Sequence, residues 1–397
     1  MKKRVAVLGA TGSIGTSALD VIRSFPEHFQ PVLFSARQNR EKLLRLKDEF
    51  PDALTALSGD EAASGSAAGG DGKNAGIDFS GEQGLLDAIA AAGADLCLNG
   101  IAGAAGLLPS CAALNAGCDL ALANKETIVM AGPLVFELAA QNNRRIIPVD
   151  SEHSAIFKLI EAHGKDNVSE IILTASGGPF RGYSTEMLAA VTPQQALAHP
   201  TWSMGAKITI DSATLANKGL EVIEAARLFG LPPEKIRAVV HPQSVVHSMV
   251  RLKNGAVYAQ MSKPDMRLPI HDALAWPDTP PSPFGVLDFE SLTLTFERCD
   301  TERFPMLDLA YEALAGGPLL PALYNAANEA AVELFLKNRI TFLEIPRIVG
   351  YVIRSEKENR PGQTLTIKSV LEQDRRGREL AFANWDKLPS GAPGRPN

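Results

Sequence analysis

The chain has 397 residues, of which 45% are hydrophobic and 21% charged, with a formal net charge of −6. That length predicts two or three domains, and the composition is ordinary for a globular protein in water. The mild acidity offers no attraction to nucleic acid or an anionic membrane, and no stretch approaches the ~20 apolar residues that span a bilayer.

Met1-Lys2-Lys3-Arg4 has the charge of a signal peptide, but the apolar run behind it, residues 5–8, is too short for a signal core. Cys97, Cys111, Cys118 and Cys299 form no C-x-x-C pair. Neither zinc nor a redox dithiol is indicated, and a reduced, cytoplasmic setting is the expectation. Cys97 reads as a small core hydrophobe.

Taken in chain order, residues 5–8 read as a buried strand ending in glycine, 17–25 as a helix and 32–35 as a second strand. Residues 96–99, 120–123 and 146–149 read as later strands, with 107–115 and 127–141 as crossover helices. This alternation predicts an α/β fold with a right-handed, doubly wound sheet over residues 1–150. Residues 56–76, rich in Gly, Ala, Ser and Asp, interrupt it and read as a flexible surface insertion.

A second α/β domain is expected over 151–285, with strands at 171–174, 207–210, 238–240, 244–251 and 256–261. Lys253-Asn254-Gly255 signals a hairpin between the last two, and 221–229 a helix. The proline-rich stretch 277–283 opens a linker. Past Phe304-Pro305 the pattern turns helical, with capping boxes expected at Thr341-x-x-Glu344 and Ser369-x-x-Glu372 and a frayed end at 389–397.

Gly9, Gly12 and Gly15 follow a strand and open a helix. There the backbone can approach a pyrophosphate, and free N–H groups with a partial positive charge face it. The spacing also suits a plain strand-to-helix turn. At the end of the second strand, where an NAD enzyme carries an acid, this chain has Ala36-Arg37-Gln38-Asn39. Arg37 suits the 2′-phosphate of NADP; the alternative is a solvated surface charge.

Asp150-Ser151-Glu152 stands at the carboxyl end of the last strand of the first domain, where open α/β sheets bind ligands. In an extended segment Asp150 and Glu152 share a side, and two hard oxygens there suit Mg²⁺ or Mn²⁺. A solvated loop is the other reading. Asn124-Lys125-Glu126 follows a neighbouring strand. Ser176-Gly177-Gly178 ends a strand with small residues able to face a phosphate. Ser212, Asn217 and Lys218 are further phosphate donors, and Glu221 shares a helix face with Lys218, as a ligand set or as a plain ion pair. The segment from His199 to Gly205 has the hinges of a lid, or is a loop anchored by Trp202. His241 and His247 read as structural histidines, and His153 as a support to its acidic neighbours.

Together these motifs resemble the 1-deoxy-D-xylulose 5-phosphate reductoisomerase family. The resemblance runs almost end to end, through Gly9-Ala10-Thr11-Gly12-Ser13-Ile14-Gly15, Leu122-Ala123-Asn124-Lys125-Glu126, Val149-Asp150-Ser151-Glu152-His153 and Ser176-Gly177-Gly178-Pro179-Phe180. It continues in His199-Pro200-Thr201-Trp202-Ser203-Met204-Gly205, Asp211-Ser212-Ala213-Thr214, Asn217-Lys218-Gly219-Leu220-Glu221, His241-Pro242-Gln243-Ser244 and Asn325-Ala326-Ala327-Asn328-Glu329.

The resemblance implies a Rossmann-type NADPH domain (1–150), a catalytic and dimerisation α/β domain (151–285), a linker (286–312) and a C-terminal α-helical domain (313–397), in a homodimer. The implied reaction rearranges and reduces 1-deoxy-D-xylulose 5-phosphate to 2-C-methyl-D-erythritol 4-phosphate in non-mevalonate isoprenoid biosynthesis. NADPH and one Mg²⁺, Mn²⁺ or Co²⁺ would serve it. By the same resemblance Asp150, Glu152 and Glu221 hold the metal, and Ser176, Ser212, Asn217 and Lys218 hold the substrate phosphate. Lys125, Ser151 and Glu152 meet the substrate oxygens, and His199 belongs to a closing flap. Thr11, Gly12, Ser13, Ile14, Asn124, Glu126 and Gly205 line the NADPH site, with Arg37, Gln38 and Asn39 toward the 2′-phosphate. Arg37-Gln38 departs from the Gly-Lys of many members. A metal-free dehydrogenase would carry Tyr-x-x-x-Lys, which the five tyrosines do not supply.

Overall fold

The computed structural model describes residues 1–59, 76–202, 204–357 and 364–385. Short apolar runs alternating with amphipathic segments build its first sheet. In order these are β1 (Lys3–Leu8), α1 (Ser13–Ser24), β2 (Phe29–Ala36), α2 (Arg40–Glu49), β3 (Leu54–Leu57), β4 (Phe79–Ser80), α3 (Gly81–Ala92), β5 (Leu96–Asn99), α4 (Leu107–Asn115), β6 (Asp119–Leu122), α5 (Lys125–Gln141), β7 (Ile146–Pro148) and α6 (Ser151–His163).

The seven strands are parallel and lie in the order β4-β3-β2-β1-β5-β6-β7. Right-handed crossovers put helices on opposite faces either side of β1. The order in which strands are added reverses between β1 and β5, and the carboxyl ends of strands at such a switch point are where doubly wound sheets take ligands.

The remaining elements are β8 (Val168–Ala175), α7 (Thr185–Ala189), α8 (Pro193–Ala196), α9 (Ala206–Thr214), α10 (Ala216–Phe229), β9 (Ile236–Val240), β10 (Val246–Leu252), β11 (Val257–Met261), α11 (Arg267–Ala275), β12 (Glu297–Arg298), α12 (Met306–Ala315), α13 (Leu320–Leu336), α14 (Glu344–Lys357) and α15 (Ile367–Asn384). The second sheet runs β11-β10-β8-β9-β12, with β8 and β9 parallel and the other pairs antiparallel. Everything from α7 to α10 is therefore the crossover between its two parallel strands. No helix among the described residues is long and apolar enough to cross a membrane.

Two compact units result. One comprises Met1–Thr127, Val135–Ser154 and Asp265–Val286; the other comprises Ile128–Leu134, Ala155–Pro264 and the chain from Leu287 onward. In the first unit Lys3 Nζ donates to the Leu274 and Trp276 carbonyls, both at 2.7 Å, and the rings of Phe25 and His271 lie 4.6 Å apart. These contacts tie α11 to β1 and α1. In the second, one apolar core joins β8, α10 and the helices α12 to α14, with Tyr324, Phe335 and Ile345 fully covered.

Helix α5 carries a device of its own. Pro133 has no N–H, so the Val129 carbonyl loses its helical donor, and Ala131 leaves helical geometry at φ −134°, ψ 18°. Arg227 replaces the missing donor: its Nη1 reaches the carbonyls of Ile128 at 2.8 Å and Val129 at 2.6 Å. Gly132 makes room, since a Cβ there would lie 2.9 Å from Arg227 Cδ.

Several expectations are corrected. Residues 207–210 form helix α9, not a strand. The run Ile208-Thr209-Ile210 is β-branched, but tertiary context wins over propensity. Thr209 and Thr214 return their hydroxyls to the Gly205 and Ile210 carbonyls, and Lys207 pairs with Asp211 one turn on. Asp150-Ser151-Glu152 is not extended: α6 begins at Ser151 and puts Glu152 in its first turn. Helices α1 and α10 start a turn or more before residues 17 and 221.

The capping box at α15 is Thr366 with Ser369, one turn before the expected pair. At α14, Glu344 accepts from Thr341 N at 2.7 Å as expected. Residues 56 and 57 belong to β3 rather than to an insertion, and most of that segment, residues 60–75, lies outside the described residues, as do Ser203 and 389–397. The hairpin at Lys253-Asn254-Gly255 forms with Gly255 at φ +88°.

Candidate active site

In the first unit the turn after β1 is built by sterics. Gly9 has φ +74°, and a Cβ on Gly15 would fall 2.4 Å from Ala10 Cα, so α1 can seat on β1 only with glycine there. Gly12 caps α1 without a side-chain hydrogen bond, leaving backbone N–H groups of Ser13 and Ile14 at an uncapped helix start. Lys42 Nζ, which the sequence reading missed, bonds the Thr11 carbonyl at 3.1 Å and Thr16 Oγ1 at 2.8 Å. Its signal was its place in the first turn after the Asn39 cap.

Arg37 and Gln38 are exposed at the end of β2. The Arg37 backbone is fixed by Gly59, whose N–H donates to its carbonyl at 2.7 Å. Asn39 Oδ1 caps α2 through Lys42 N at 3.0 Å. Asn124 is a scaffold residue: Oδ1 accepts from Thr127 N at 3.0 Å, and Nδ2 donates to the Ile101 and Gly103 carbonyls and to Glu126 Oε2.

Lys125 and Asp150 stand at the carboxyl ends of the adjacent strands β6 and β7, their side chains 2.5 Å apart and 6% and 14% exposed. Burial alone would raise the Asp150 carboxyl. The Lys125 charge, helped by His153 Nδ1 at 3.7 Å, outweighs it and holds Asp150 far below the usual carboxylate range. Ser151 Oγ donates to Glu152 Oε2 at 2.6 Å. The unit thus offers an ionised Asp150 beside Glu152, hard oxygen donors of the kind Mg²⁺ and Mn²⁺ take.

In the second unit the loop after β8 turns on two left-handed glycines, Gly177 at φ +83° and Gly178 at φ +67°. A Cβ on Gly178 would meet the Ser212 carbonyl at 2.7 Å, so the Ser176 loop lies directly on the end of α9. His199 Nδ1 accepts from the N–H groups of Thr201 at 3.1 Å and Trp202 at 2.9 Å. Its proton therefore sits on Nε2, which donates to Ser176 Oγ at 3.1 Å and leaves the serine hydroxyl free to donate elsewhere. Burial lowers the His199 pKa and favours this neutral form.

Glu221 is fully buried on α10 and accepts from Asn217 Nδ2 at 2.5 Å and from Lys218 Nζ. Asn217 and Lys218 fall in the first turn of that helix, one short corner after Ser212. Ser176 is thus joined to His199, and Asn217 and Lys218 to Glu221, while Gly205 opens α9.

Histidines 241 and 247 are structural: His241 Nε2 accepts from Val245 and Val246 N–H, and His247 Nε2 bonds Ser262 Oγ. The four cysteines are free, and burial pushes the thiols of Cys111, Cys118 and Cys299 to about 11, inert at neutral pH.

Comparison with known proteins agrees along the whole chain. Residues 5–132 match the model of 1-deoxy-D-xylulose 5-phosphate reductoisomerase, residues 146–229 its C-terminal domain, and residues 261–380 a further C-terminal domain of the same family. The chain is 48% identical over 380 residues to the 1-deoxy-D-xylulose 5-phosphate reductoisomerase of Chlorobaculum tepidum, covering 96% of this chain and 98% of that protein. It is 46% identical to that of Trichlorobacter lovleyi, covering 98% and 99%.

Among solved structures, the Zymomonas mobilis enzyme in complex with NADPH is 41% identical with a TM-score of 0.87, covering 98% of this chain and 100% of that one. A reductoisomerase in complex with NADPH, fosmidomycin and magnesium is 37% identical with a TM-score of 0.89 at the same coverage. The chain belongs to the 1-deoxy-D-xylulose 5-phosphate reductoisomerase family of enzymes.

Proposed function

We propose that this chain uses NADPH and one divalent cation to convert 1-deoxy-D-xylulose 5-phosphate to 2-C-methyl-D-erythritol 4-phosphate, as a cytoplasmic step of non-mevalonate isoprenoid synthesis. The observation that carries the reading is the buried Lys125–Asp150 pair beside Ser151 and Glu152, at the carboxyl edge of a doubly wound sheet. In this reading Asp150, Glu152 and Glu221 hold Mg²⁺, Mn²⁺ or Co²⁺. Bound there, the cation acts as Lewis acid and template for the adjacent hydroxyl and keto oxygens of the substrate.

The protein's own groups do the rest. Lys125 keeps Asp150 ionised and, with Ser151, orients the substrate oxygens. Ser176, Ser212, Asn217 and Lys218 grip the phosphate, remote from the carbon skeleton that rearranges, so its binding energy serves to order the flap. His199 couples the two by bonding both Ser176 and the flap backbone at Thr201 and Trp202. The flap, residues 199–205, excludes water from the rearranging intermediate. NADPH supplies hydride from a site at Thr11, Gly12, Ser13 and Ile14, bordered by Glu126 and Gly205. Arg37, with Gln38 and Asn39 beside it, reads its 2′-phosphate.

The functional division into an NADPH domain, a catalytic domain and a helical domain is retained from the sequence. The assembly is a homodimer formed through the second sheet, where the edge strand β11 leaves Val257 and Tyr258 exposed.

Oxidation of NADPH at 340 nm in the presence of the sugar phosphate tests the reading. Turnover should require Mg²⁺ or Mn²⁺, stop with EDTA, and fall about a thousandfold or more in Glu221→Gln, with weaker Mn²⁺ binding by calorimetry. Unchanged turnover and Mn²⁺ affinity in that variant would refute the metal assignment.

A further inference from the structure

Leu215, the corner between α9 and α10, has φ +62° and ψ +11°, a left-handed conformation that a bulky side chain rarely adopts. The corner sets the directions of Ser212 on one side and of Asn217 and Lys218 on the other. Such a conformation persists where surrounding contacts impose it.

The contacts come from α13. Tyr324 Oη donates to the Met306 carbonyl at 3.1 Å and presses on Gly219, where a Cβ would come within 2.7 Å of it. One turn further, Asn328 Nδ2 donates to Asp211 Oδ1 at 2.7 Å. Asp211 is 1% exposed, and its Oδ2 lies 2.9 Å from Lys207 Nζ. Next along α13, Glu329 accepts from Asn325 Nδ2 at 2.9 Å and from Arg378 Nη2 of α15 at 2.5 Å. Burial opposes its charge, but Lys207 and Arg378 hold its carboxyl below the usual range. Alternating charges thus run from α9 through α13 to α15. The motif Asn325-Ala326-Ala327-Asn328-Glu329 supplies the middle of the series.

We propose that Asp211 and Asn328 are positioning residues for the phosphate-binding corner. Their hydrogen bond, with Lys207 behind it, fixes α9 against α13, so that Ser212, Asn217 and Lys218 are aimed before a phosphate arrives. Lys207 has a second task. A carboxylate next to Ser212 would repel a phosphate dianion, and the Lys207 and Asn328 contacts absorb that charge. Neither Asp211 nor Asn328 touches substrate. The proposal rests on the reading of Ser212, Asn217 and Lys218 as phosphate donors, and its test separates the two.

The measurements are KM for the sugar phosphate, KM for NADPH, kcat, the melting temperature, and Ki for inorganic phosphate as a competitor. Asn328→Asp sets a second carboxylate against Asp211. It should raise KM for the sugar phosphate and Ki for phosphate together, about tenfold, with kcat and KM for NADPH within about twofold. Combining Asp211→Asn with Asn328→Asp restores a donor facing an acceptor and should return both constants to within about threefold of the parent.

If Lys218→Ala raises the phosphate Ki and Asn328→Asp does not, the positioning role is overturned and the phosphate reading stands. If Lys218→Ala leaves that Ki unchanged, the phosphate reading itself falls. Equal losses in kcat, both KM values and melting temperature, unrelieved by the exchange, also overturn the proposal, because they report general unfolding. Should Asn328→Asp fail to fold, Asp211→Asn alone, which changes charge and not volume, is read by the same ratio of phosphate Ki to NADPH KM.

Discussion

Arg227→Met removes the donors that serve the kink of α5 and keeps most of the side-chain stem. In the parent, Arg227 Nη1 lies 2.8 Å from the Ile128 carbonyl and 2.6 Å from that of Val129, and Nη2 lies 3.1 Å from that of Pro318. Burial lowers the guanidinium to about 10, so it stays charged at neutral pH and its hydrogen bonds are charge-assisted. The Val129 carbonyl cannot find a helical donor at Pro133. Loss of Arg227 therefore leaves it buried and unsatisfied, at a cost of about 1–3 kcal/mol, with a similar but smaller term at Ile128. Relief of the buried charge offsets part of this, for a net loss of about 2–4 kcal/mol.

At roughly 2–4 °C per kcal/mol, the melting temperature should fall by about 5–15 °C. Arg227→Lys should lie between, because one ammonium cannot serve the kink carbonyls and the more distant Pro318 carbonyl together, as the two Nη atoms of the fork do. Circular dichroism melts of the three proteins at pH 7.5 decide it. A methionine variant melting within about 2 °C of the parent would show that the kink satisfies its carbonyls by other means, and the account of α5 would be wrong.

Two further outcomes concern the sites. Arg37→Ala should raise KM for NADPH about tenfold while leaving KM for NADH unchanged, as expected for loss of one charged contact to the 2′-phosphate; an unaltered NADPH-to-NADH preference would assign that reading elsewhere, with Lys42 the next group to replace. His199 is held neutral, its folded pKa below that of the unfolded chain. The stability it lends the turn through Thr201 and Trp202 is therefore complete above about pH 6.5 and declines as pH falls through the folded value, because protonated Nδ1 cannot accept from their N–H groups. In a Trp276→Phe, Trp385→Phe background, Trp202 fluorescence should change below about pH 6.5, and His199→Ala should abolish the transition. A pH-independent signal would refute the coupling.

What the sequence disclosed follows from the range of the forces involved. The Gly9 turn was legible because its requirement is steric and local: a positive φ and a close approach within seven residues. Asp150-Ser151-Glu152 was legible as a site because a strand end in a doubly wound sheet is a place defined by topology. Its backbone was misread because a helix starts at Ser151, only two residues, Val149 and Asp150, after β7 ends. Helix α9 was misread because Ile208, Thr209 and Ile210 favour strands in isolation. What makes them helical is the burial of Thr209, Ile210, Asp211, Ala213 and Thr214 against the surrounding elements. Lys42 was missed for a related reason: its place in the first turn of α2 is visible in sequence, but that its ammonium reaches back to Thr11 and Thr16 after β1 is set by the packing of α2 beside α1.

The same distinction separates two kinds of residue in the proposed phosphate region. Ser176, Ser212, Asn217 and Lys218 advertise donor chemistry wherever they occur, so a sequence names them. Asp211 and Asn328 are 117 positions apart and acquire meaning only as a pair. A buried carboxylate is costly alone and ordinary beside an amide and an ammonium. Hence Asn325-Ala326-Ala327-Asn328-Glu329 reads in sequence as a motif without chemistry. Its two alanines let α13 approach its neighbours, and its polar residues are spent on other helices rather than on a ligand. If the exchange of Asp211 and Asn328 restores phosphate affinity, the helical tail is part of the binding site's construction.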